Sequence, residues 1–540
     1  MMLSALEPRL AVRERRGPAD AQVLDATGDS RAVRHGTVFA AIPGTRVDGH
    51  RFIDQAVASG AAAVLLRDWP EGDWAHGVPA LQVDDPRRAL GHVAAALRGD
   101  PSRDLLVIGI TGTNGKTSTV AIVEALLVSA GLRAGVIGTT GIHWQGRRAF
   151  QELDATHTTP DGPALQALLA RMRDDGAQAV AMELSSHALD QGRSAGLHLD
   201  VAAWSNLSRD HLDYHGTMEA YDAAKALLLT ELLPQSGKGR PVAVLNLDDP
   251  AVAAHASDWE HTLTVSADPG NTAADIAPYA VPSFGLDGIR CLVRTPQGRV
   301  PLSSSLLGAH NLANLLLAGG IGLAAGLSLD AIAAGWNSAP AASGRMERVE
   351  RSDGRGPLVV VDYAHTPDAL ATVLRSLRPF VPGRLVSVFG CGGDRDAGKR
   401  PIMAAAAWQG SDAVVMTSDN PRSEDPDAIL DALEPGLPGD AVVARSLTDF
   451  ATTPITRITD RRDAIRAAIA AADTGDLVLI AGKGHEMTQD TNGRKVHFDD
   501  REEARRALAE FHAPANEPPP GFNQHGRAVN PMPKRGDDER

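Results

Sequence analysis

A phosphate-binding loop is indicated by Leu106–Val120, LVIGITGTNGKTSTV. A strand-like apolar run leads into a polar, glycine-rich stretch, and the residues that follow have the spacing of a helix. Such a loop offers backbone N–H groups and the positive end of a helix to a phosphate. Lys116 would reach the β- and γ-phosphates, and the Thr117 hydroxyl would lie near Mg²⁺. Ile110 stands where the common pattern has its first glycine, so this is a variant P-loop.

Two further clusters of ionisable residues follow strand-like segments. Glu183 and His187 lie in MELSSH, at the end of the run AVAMEL. The segment Asn206–Leu229 follows VAAWSN and crowds five ionisable groups together: Arg209, Asp210, His211, Asp213 and His215. Chemistry in parallel α/β sheets is placed at the carboxyl ends of the strands, and carboxylate oxygens suit Mg²⁺. These segments therefore favour a site for metal and phosphate.

Two residues of these clusters have a simpler interpretation when each is taken alone. A single glutamate at a strand end, such as Glu183, is more often solvated than bound to a metal. Lys225 lies inside a helical segment, where a lysine is more often a solvated surface charge. The residues by themselves therefore favour solvent exposure for both side chains.

The last third of the chain carries four polar, glycine-rich segments, each directly after a strand-like run. They are DYAHTPDAL, FGCGGDRDAGKRP, TSDNPRSEDP and AGKGHE. Four such strand exits in one block favour a single composite site over unrelated loops. Arg395, Lys399, Arg400 and Arg422 would supply positive charge to an anionic substrate or a nucleotide phosphate.

Alternating strands and helices must position these segments. Short strands alternate with helices up to about residue 100, and a second alternation from LLVIGI predicts a largely parallel sheet covered by helices. A third begins near Ala342 with four strands, in LVVVDYAH, LVSVFG, AVVMTS and LVLIAGKG. Proline, glycine and charge dominate residues 513–540 and predict a disordered tail. We predict an α/β protein with domains at 1–100, 101–340 and 341–512.

The composition disfavours several classes of partner. A formal net charge of -14 argues against nucleic acid, which is held mainly by neutralising its phosphates. No apolar run is long enough to cross a membrane, and the N-terminal segment has no apolar stretch typical of a signal peptide. Two cysteines, Cys291 and Cys391, make no disulfide framework. We predict a cytoplasmic monomer with neither a membrane nor a nucleic-acid partner.

Taken together, the motifs resemble those of the Mur ligases of peptidoglycan synthesis across nearly the whole chain. TGTNGKT without a leading glycine, NLSRDHLDYHGTMEAYDAAK, DYAHTPDAL, FGCGGDRDAGKRP, DNPR and AGKGHE carry the resemblance. It implies a UDP-muramoyl substrate-binding domain, a central P-loop ATPase domain with a parallel sheet, and a Rossmann-like C-terminal domain for an amino acid. It also implies that ATP and Mg²⁺ activate UDP-N-acetylmuramoyl-L-alanyl-D-glutamate as an acyl phosphate, which meso-diaminopimelate then attacks.

The resemblance further implies which residues serve each ligand. For ATP they are Gly112, Thr113, Asn114, Gly115, Lys116, Thr117, Ser118, Asn311, Arg345 and Asp362. For the UDP-muramoyl dipeptide they are Gly28, Ser30, Thr45, Arg46, Val47, His157, Thr158, Thr159, Ser185, Gln191 and Arg193. For the amino acid they are Arg395, Asp419, Asn420, Pro421, Arg422, Gly482 and Glu486. The catalytic group would be Lys116, Glu183, His211 and Lys225, with Mg²⁺ bound by Thr117, Glu183, His211 and Lys225, the last as N6-carboxylysine, a carbamate.

Two other functions stay open at this point. A folylpolyglutamate synthetase-like ligase would share the ATPase block, although DNPR and the pair TGDSR and GTRVDG favour the muramoyl substrate. A nucleotide switch without enzymatic activity would use the loop and need no amino-acid pocket. ADP formation that requires both a UDP-muramoyl dipeptide and an amino acid would separate the three.

Overall fold

The protein is represented by a computed structural model. It describes residues 1–44, 47–71, 74, 76–144, 147–148, 158–349, 356–439, 441–446, 450 and 452–511. The predicted disordered tail, 513–540, therefore lies outside the described residues. The chain divides into two compact units, the first of Met1–Pro340 and the second beginning at Ala341, which is where the third block was predicted to start. No described helix combines the length and apolar character needed to cross a membrane.

A five-stranded sheet begins the first unit. Its strands are β1 (Glu14–Arg16), β2 (Asp25–Thr27), β3 (Thr37–Ala40), β4 (Ala61–Leu66) and β5 (Ala80–Gln82), and its helices are α1 (Ile53–Ala58) and α2 (Pro86–Leu97). The spatial order is β1-β5-β4-β3-β2, with β1 antiparallel at one edge and the others parallel. Asp85 starts α2 by accepting hydrogen bonds from two backbone amides of its first turn.

The second sheet of this unit carries the phosphate-binding loop. Its strands are β6 (Leu106–Thr111), β7 (Ala134–Gly138), β8 (Gly141–Trp144), β9 (Arg147–Arg148), β10 (Ala179–Glu183), β11 (Val201–Trp204), β12 (Val242–Asn246) and β13 (Thr262–Val265). Their order is β13-β12-β11-β6-β10-β7-β8-β9, and the six strands from β13 to β7 are parallel. Buried apolar runs such as that of β10 fit a sheet covered on both faces. Strand β6 is central, so the loop after it is flanked by the ends of β10 and β11.

Helices cover this sheet and a small antiparallel sheet follows it. The helices are α3 (Lys116–Ser129), α4 (Gly162–Asp174), α5 (Ser186–Asp190), α6 (Leu212–His215), α7 (Met218–Leu227), continued by a π-helical turn (Leu228–Leu232), and α8 (Pro250–Ala254). Strands β14 (Ala277–Pro278), β15 (Ser283–Gly285), β16 (Gly288–Thr295) and β17 (Gly298–Ser304) pair antiparallel. Helices α9 (Ala309–Ala324) and α10 (Leu329–Ser338) complete the unit.

Close packing joins the first sheet of this unit to the second. Helix α2 meets the chain after α5 at Gly91, where an added Cβ would lie 2.6 Å from the Ala195 carbonyl oxygen. A Cβ at Gly196 would lie 2.9 Å from the Gly91 carbonyl oxygen, so the two backbones touch without side chains between them. Arg88 of α2 also forms an ion pair with Glu231 of the π-helical turn. The segment that contacts α2 is the one that carries Gln191 and Arg193.

The second unit is a parallel sheet with an antiparallel edge. Its strands are β18 (Glu347–Val349), β19 (Leu358–Asp362), β20 (Leu385–Phe389), β21 (Ala413–Met416), β22 (Ile455–Arg457), β23 (Leu477–Ala481), β24 (Thr488–Thr491) and β25 (Arg494–His497). Its helices are α11 (Pro367–Leu377), α12 (Lys399–Gly410), α13 (Pro426–Asp431), α14 (Arg461–Ala471) and α15 (Asp500–Glu510). The main sheet has the order β18-β19-β23-β20-β21-β22, and β24 and β25 form a separate hairpin.

The prediction of four strands for this block was incomplete. The four predicted strands are β19, β20, β21 and β23, and all of them lie in the main sheet. Strands β18 and β22 were missed because each has only three residues and includes charge, which hides the apolar run that marks a buried strand. Each of the two strands occupies an edge of the sheet, where such short segments are common.

Candidate active site

The backbone conformation of the phosphate-binding loop requires glycine at two positions. Gly112 has φ +146° and Gly115 has φ +84°, both in the region that side chains disfavour. An added Cβ at Gly112 would overlap Ser205 Oγ, and one at Gly115 would overlap the Asn314 side chain. Helix α3 begins at Lys116, directly after the second glycine. The loop thus presents the first turn of a helix, as anion-binding loops do.

The end of β11 holds the loop in place. Thr113 N donates to the Asn206 carbonyl at 2.9 Å, and Asn114 N donates to Asn206 Oδ1 at 2.8 Å. The Asn114 carbonyl accepts from Ser205 Oγ at 2.6 Å and from Asn206 Nδ2 at 3.0 Å. These four bonds fix the loop before any ligand binds, so little ordering cost is left for binding.

Lys116 and Lys225 converge on one carbonyl of the loop. Lys116 Nζ donates to the Gly112 carbonyl at 2.7 Å, and Lys225 Nζ donates to the same oxygen at 2.8 Å. Lys225 also lies over the Tyr221 ring, 4.7 Å from its centroid, and the Tyr221 hydroxyl is 3.2 Å from Thr113 Oγ1. The two lysines predicted to be catalytic therefore both donate to the same carbonyl of the phosphate-binding loop.

The interpretation of Lys225 as a solvated surface lysine was wrong. Its side chain is on the inner face of α7 and the residue is only 1% exposed. Burial, and secondarily the charge of Lys116, lowers the pKa of Lys225 to about 6. A neutral amine therefore predominates at neutral pH, and a neutral amine is the nucleophile that can react with CO₂ to form a carbamate.

Glu183 is likewise buried, at 1% exposure, which corrects the solvated interpretation. It ends β10, which is paired with β6, so its carboxylate lies beside the start of the phosphate-binding loop. Thr139 donates to both carboxylate oxygens, from its backbone N at 2.8 Å and from its hydroxyl at 3.1 Å. A buried carboxylate fixed by two neutral donors keeps lone pairs that a cation could use.

A connected network joins residues predicted for the muramoyl substrate. Thr159 Oγ1 donates to the Glu183 carbonyl at 2.8 Å and accepts from Ser185 N at 3.2 Å. Arg193 donates to the Gln191 side-chain oxygen at 2.6 Å and to the Thr159 carbonyl at 3.4 Å. Burial lowers the pKa of Arg193, and these described partners of its guanidinium are neutral. The network places a buried cation near the predicted catalytic carboxylate.

An aromatic cluster surrounds the predicted ligand His211. The His187 ring is 4.9 Å from the His211 ring and 5.4 Å from the His215 ring, centroid to centroid. His215 Nε2 is 3.0 Å from Ser186 Oγ, and Tyr214 OH donates to Asp190 at 2.7 Å. Burial lowers the pKa of His187 and of His215, so both favour the neutral imidazole. In the described part of the chain no three His, Cys, Asp or Glu side chains form a group that could hold a metal.

The residues predicted for the uridine end lie on the first sheet. An added Cβ at Gly28 would lie 2.8 Å from Ile42 Cδ1, and Ser30 is buried with its hydroxyl 3.4 Å from Gln55 Oε1. Val47 is exposed. Three other predicted contacts, Thr45, Arg46 and His157, lie outside the described residues.

Three more predicted ATP contacts are Asn311 in the first unit and Arg345 and Asp362 in the second. Asn311 on α9 is buried and donates to the Leu307 carbonyl at 2.8 Å, and its side-chain oxygen accepts from Asn314, which lies under Gly115. In the second unit Asp362 ends β19 and accepts from Met346 N at 2.8 Å. That bond fixes the turn that carries Arg345, whose guanidinium is 4.6 Å from the Tyr363 ring centroid.

In the second unit, side chains that follow β21 and β23 meet in one hydrogen-bonded cluster, here called the polar pocket. Asn420 donates to Glu486 Oε2 at 2.8 Å, and its own side-chain oxygen accepts from Lys483 Nζ at 3.1 Å. Lys483 Nζ also donates to Glu486 at 3.0 Å and lies 3.8 Å from Asp419 Oδ1. Burial opposes ionisation of Glu486, but Lys483 and Asn420 outweigh it and hold the pKa of Glu486 below its ordinary value. Gly482, with φ +119°, opens the turn beside this pocket.

Arg422 is held in place through its backbone. Its φ is +53°, and its backbone N–H donates to the Asp490 carbonyl at 2.9 Å while its carbonyl accepts from Asn492 at 2.6 Å. The guanidinium donates to the Gly393 carbonyl at 2.6 Å, a neutral partner. Pro421 before it is buried and Arg395 is exposed. Arg400 differs from the prediction, since it is buried and paired with Glu424 at 2.8 Å and so supplies no charge to a ligand.

The chain is similar to known proteins along most of its length. Family descriptions match in three segments: "Mur ligase family, catalytic domain" at 27–98, "Mur ligase middle domain" at 110–322, and "Mur ligase, glutamate ligase domain" at 344–484. The UDP-N-acetylmuramoyl-L-alanyl-D-glutamate--2,6-diaminopimelate ligase of Gloeobacter violaceus is 45% identical over 94% of this chain and 98% of its own. The chain belongs to the Mur ligase family.

Further relatives place the similarity within one branch of the Mur ligases. The enzyme of the same name from Geobacter metallireducens is 43% identical over 89% of this chain and 93% of its own. A solved structure with that name is 37% identical, covers 90% of this chain and 95% of its own, and superposes with a TM-score of 0.68. The predicted family and three-domain α/β fold are confirmed.

Sequence reasoning missed several residues that shape this Mur ligase site. Ser205, Asn206 and Asn314 support the loop. Asn206 begins the motif NLSRDHLDYHG and Ser205 precedes it, which is the one signal that could have suggested them. Lys483 lies inside AGKGHE, but no local pattern there indicates that its side chain is buried. Arg461 and Asp500 form a buried ion pair at 2.7 Å, and Arg461 also donates to the carbonyls of Ser418 and Ala481 at the ends of two strands. No sequence pattern marked that pair.

Proposed function

We propose that the chain joins meso-2,6-diaminopimelate to UDP-N-acetylmuramoyl-L-alanyl-D-glutamate in an ATP-dependent reaction. The observation that carries the proposal is the match, at 45% identity over nearly the full length of both chains, to a ligase named for these substrates. The polar pocket at Asp419, Asn420 and Glu486 argues against a switch that only binds a nucleotide, since such a protein needs no second ligand site. The folylpolyglutamate alternative has no comparable support at that identity.

ATP is the co-substrate, held by the loop from Gly112 to Ser118. Its phosphates would accept from the N–H groups at the start of α3, and the Lys116 ammonium would neutralise charge on the γ-phosphate. The D-glutamyl carboxylate oxygen attacks that phosphorus, ADP leaves, and a carboxylate becomes an acyl phosphate with a good leaving group. We infer from the resemblance that Asn311, Arg345 and Asp362 contact the rest of the nucleotide.

The second step forms the amide bond. The neutral amine of the amino acid attacks the acyl carbon, giving a tetrahedral intermediate, and inorganic phosphate departs as the C–O bond breaks. The amine must lose a proton during this step, and the nearby carboxylates and neutral imidazoles are candidates to accept it. Exclusion of water protects the acyl phosphate from hydrolysis.

The resemblance assigns Mg²⁺ to residues at the phosphate-binding loop and the neighbouring strand ends, with Lys225 as the carbamate. Four groups would then hold it: Thr117, Glu183, His211 and the carbamate oxygen of Lys225. The described residues contain no group of three acidic, imidazole or thiol side chains, so unmodified side chains of these types do not account for a metal site. The lowered pKa of Lys225 supports carbamylation because the amine is neutral where CO₂ is available. When bound, Mg²⁺ supplies charge neutralisation to the transferring phosphate.

The muramoyl substrate would span the first unit. Gly28, Ser30, Thr45, Arg46 and Val47 would hold the uridine end, and a further group would hold the peptide end: His157, Thr158, Thr159, Ser185, Gln191 and Arg193. Arg193 supports this placement, because a buried guanidinium with neutral partners can still bind an anion. That anion would be a carboxylate or phosphate of the substrate.

The amino acid would bind in the second unit. Arg395 and Arg422 would face its carboxylates, and Asp419, Asn420 and Glu486 its ammonium group, beside Pro421 and Gly482. Meso-diaminopimelate and lysine both carry a side-chain amine, but only the former adds an α-carboxylate at the far end. The planar guanidinium of Arg422 can hold that carboxylate with two parallel hydrogen bonds.

The test is ADP formation with purified protein and each substrate omitted in turn. We expect turnover only when UDP-muramoyl dipeptide, amino acid and ATP are all present, and a strong preference for meso-diaminopimelate within a panel that includes L-lysine. Turnover with a folate and glutamate would refute the proposal. ATP hydrolysis that needs neither other substrate would support a switch instead.

A further inference from the structure

Lys483 is a buried cation with no place in the proposed chemistry. It is 0% exposed, although lysine is rarely buried without a partner. Its ammonium group donates three hydrogen bonds: to Asn420 Oδ1 at 3.1 Å, to Glu486 Oε2 at 3.0 Å and to the Thr488 carbonyl at 2.8 Å. All three donor positions are filled, so Lys483 itself has no N–H left for a ligand.

The partners of Lys483 come from two strand exits and from the start of a hairpin. Asn420 follows β21, Glu486 follows β23, and Thr488 begins the hairpin of β24 and β25. The hairpin also donates to this pocket, from Asp490 N to Asn420 Oδ1 at 3.0 Å and from Gln489 to the Asp419 carbonyl at 2.8 Å. One ammonium group therefore fixes two side chains that the proposed function assigns to the amino acid.

The charged side chains around Lys483 do not balance without a ligand. Asp419 and Glu486 are two carboxylates beside the single ammonium of Lys483. The other buried charges, Arg461 and Asp500, neutralise one another at 2.7 Å. His485 has its pKa lowered by burial and by Arg345, and so is neutral at neutral pH. Among Asp419, Glu486 and Lys483 one negative charge therefore remains. Arg395 and Arg422 are a separate set, which the proposed function places at the carboxylates of the ligand.

That remaining charge has a defined location. Asp419 is 8% exposed, and its Oδ1 has no hydrogen-bond donor within the described residues. A buried carboxylate oxygen without a donor is costly, so such an atom indicates a missing partner. An ammonium group has the charge and the donors that would satisfy it.

We propose that Lys483 is a positioning residue and the internal counter-ion of this pocket, holding Glu486 and Asn420 in place and leaving one negative charge at Asp419 for the ammonium of the incoming amino acid. This inference rests on the proposed function, in which the pocket receives an amino acid. The charge of Lys483 offsets one of the two carboxylates and so determines how many positive charges the pocket can bind. With the lysine present, one ligand ammonium completes the balance.

The protonation of Asp419 and Glu486 distinguishes this role of Lys483 from a purely structural one. Lys483 lowers the pKa of Glu486 and opposes the rise that burial causes in the pKa of Asp419, as does Arg461. Without Lys483 both pKa values move upward, so the carboxylates take up protons at a higher pH. A protonated carboxyl binds an ammonium poorly, so KM for the amino acid must then rise as the pH falls.

The experiment compares native protein with Lys483→Met, in which the charge is lost and the length is kept. KM for meso-diaminopimelate is measured from pH 6 to 8.5 with the other substrates saturating, and the variant-to-native ratio is plotted against pH. We expect a ratio of about tenfold or more at pH 7, because hydrogen bonds to charged groups are lost. The ratio should grow toward pH 6, while KM for ATP stays within about twofold, because the three hydrogen bonds of Lys483 go to residues outside the proposed ATP site.

Lys238→Met is the matched control. Lys238 is a largely buried lysine paired with Asp200 in the first unit, outside every proposed ligand site. Its loss should reduce stability and leave the KM for meso-diaminopimelate unchanged at each pH. A purely structural role for Lys483 would give the same pattern as this control.

Three outcomes are distinguishable. A KM ratio that is flat with pH, in native-like folded Lys483→Met, would overturn the role of Lys483 while native turnover upheld the ligase. If Lys483→Met does not fold, Lys483→Gln replaces it, since glutamine keeps hydrogen-bond donors without the charge; a flat ratio there overturns the inference equally. Native protein that makes no ADP with the three substrates would instead refute the proposed function.

Discussion

Replacing Lys225 with methionine should abolish activity and yet stabilise the fold. The pKa of Lys225 is about 6, against 10.5 for an ordinary lysine. Between these values the unfolded chain holds a proton that the folded chain has released, so native stability rises with pH across this window. The variant has no such group. Its advantage over the native protein must therefore be largest near pH 6 and disappear near pH 10.5.

The magnitude follows from the distance to the ordinary pKa. At pH 7.5, three pH units below the ordinary pKa of 10.5, releasing the proton of Lys225 on folding costs about 4 kcal/mol of stability. At pH 9 the cost is half of that, about 2 kcal/mol. The lost hydrogen bond to the Gly112 carbonyl subtracts about 1 kcal/mol at both pH values. We therefore expect Lys225→Met to be more stable by about 3 kcal/mol at pH 7.5 and about 1 kcal/mol at pH 9.

The assay is urea unfolding of both proteins in bicarbonate-free buffer, with the same transition compared at the two pH values. Added bicarbonate should stabilise the native protein and leave the variant unchanged, because only the native amine can form a carbamate. An advantage that is equal at both pH values would show that Lys225 is not a neutral buried amine. ADP formation by the variant at near-native rates would remove it from catalysis.

Three further predictions concern the loop, the pocket and the tail. Lys116→Ala should abolish ADP formation while thermal unfolding stays near native, because Lys116 serves phosphate charge; near-normal turnover would contradict the loop assignment, and Lys238→Ala is the control that should stay active. Arg422→Ala should remove the preference for meso-diaminopimelate over L-lysine, at a cost of roughly 2–5 kcal/mol in kcat/KM for the former; an unchanged ratio of the two kcat/KM values would refute the proposed role of Arg422. Deleting the residues after 514 should leave activity and Tm nearly unchanged, since their composition cannot bury a core; a loss of several degrees would show that they dock onto the folded body.

The sequence predicted the parts of this molecule that depend on local pattern. Apolar runs of five or six residues, such as Leu106–Thr111 and Leu477–Ala481, marked buried parallel strands because such strands are apolar on both faces. The glycines and lysine of TGTNGKT marked a phosphate-binding loop because its backbone geometry demands those residue types. Most assignments of residues to ligands rest on the resemblance to the Mur ligases, because residue spacing alone does not identify ligand contacts.

The remainder depends on tertiary contacts that no local pattern records. Whether Lys225 is solvated or buried is decided by which face of α7 meets the phosphate-binding loop. The same holds for Arg400, whose charge is taken up by Glu424 from a separate loop. The buried pair of Arg461 and Asp500 joins residues 39 positions apart. Each is the first residue of a helix, where a charged residue on its own gives no sign of burial.

The direct backbone contact between Gly91 and Ala195 has a consequence for exchanging parts between related ligases. Helix α2 follows the five-stranded sheet that is proposed to hold the uridine end of the substrate. The segment that α2 contacts carries Gln191 and Arg193. Any side chain on Gly91 would push that segment away. A chimaera that takes its first hundred residues from a relative must therefore also inherit a compatible segment around residues 191–196, or its guanidinium at 193 will be displaced.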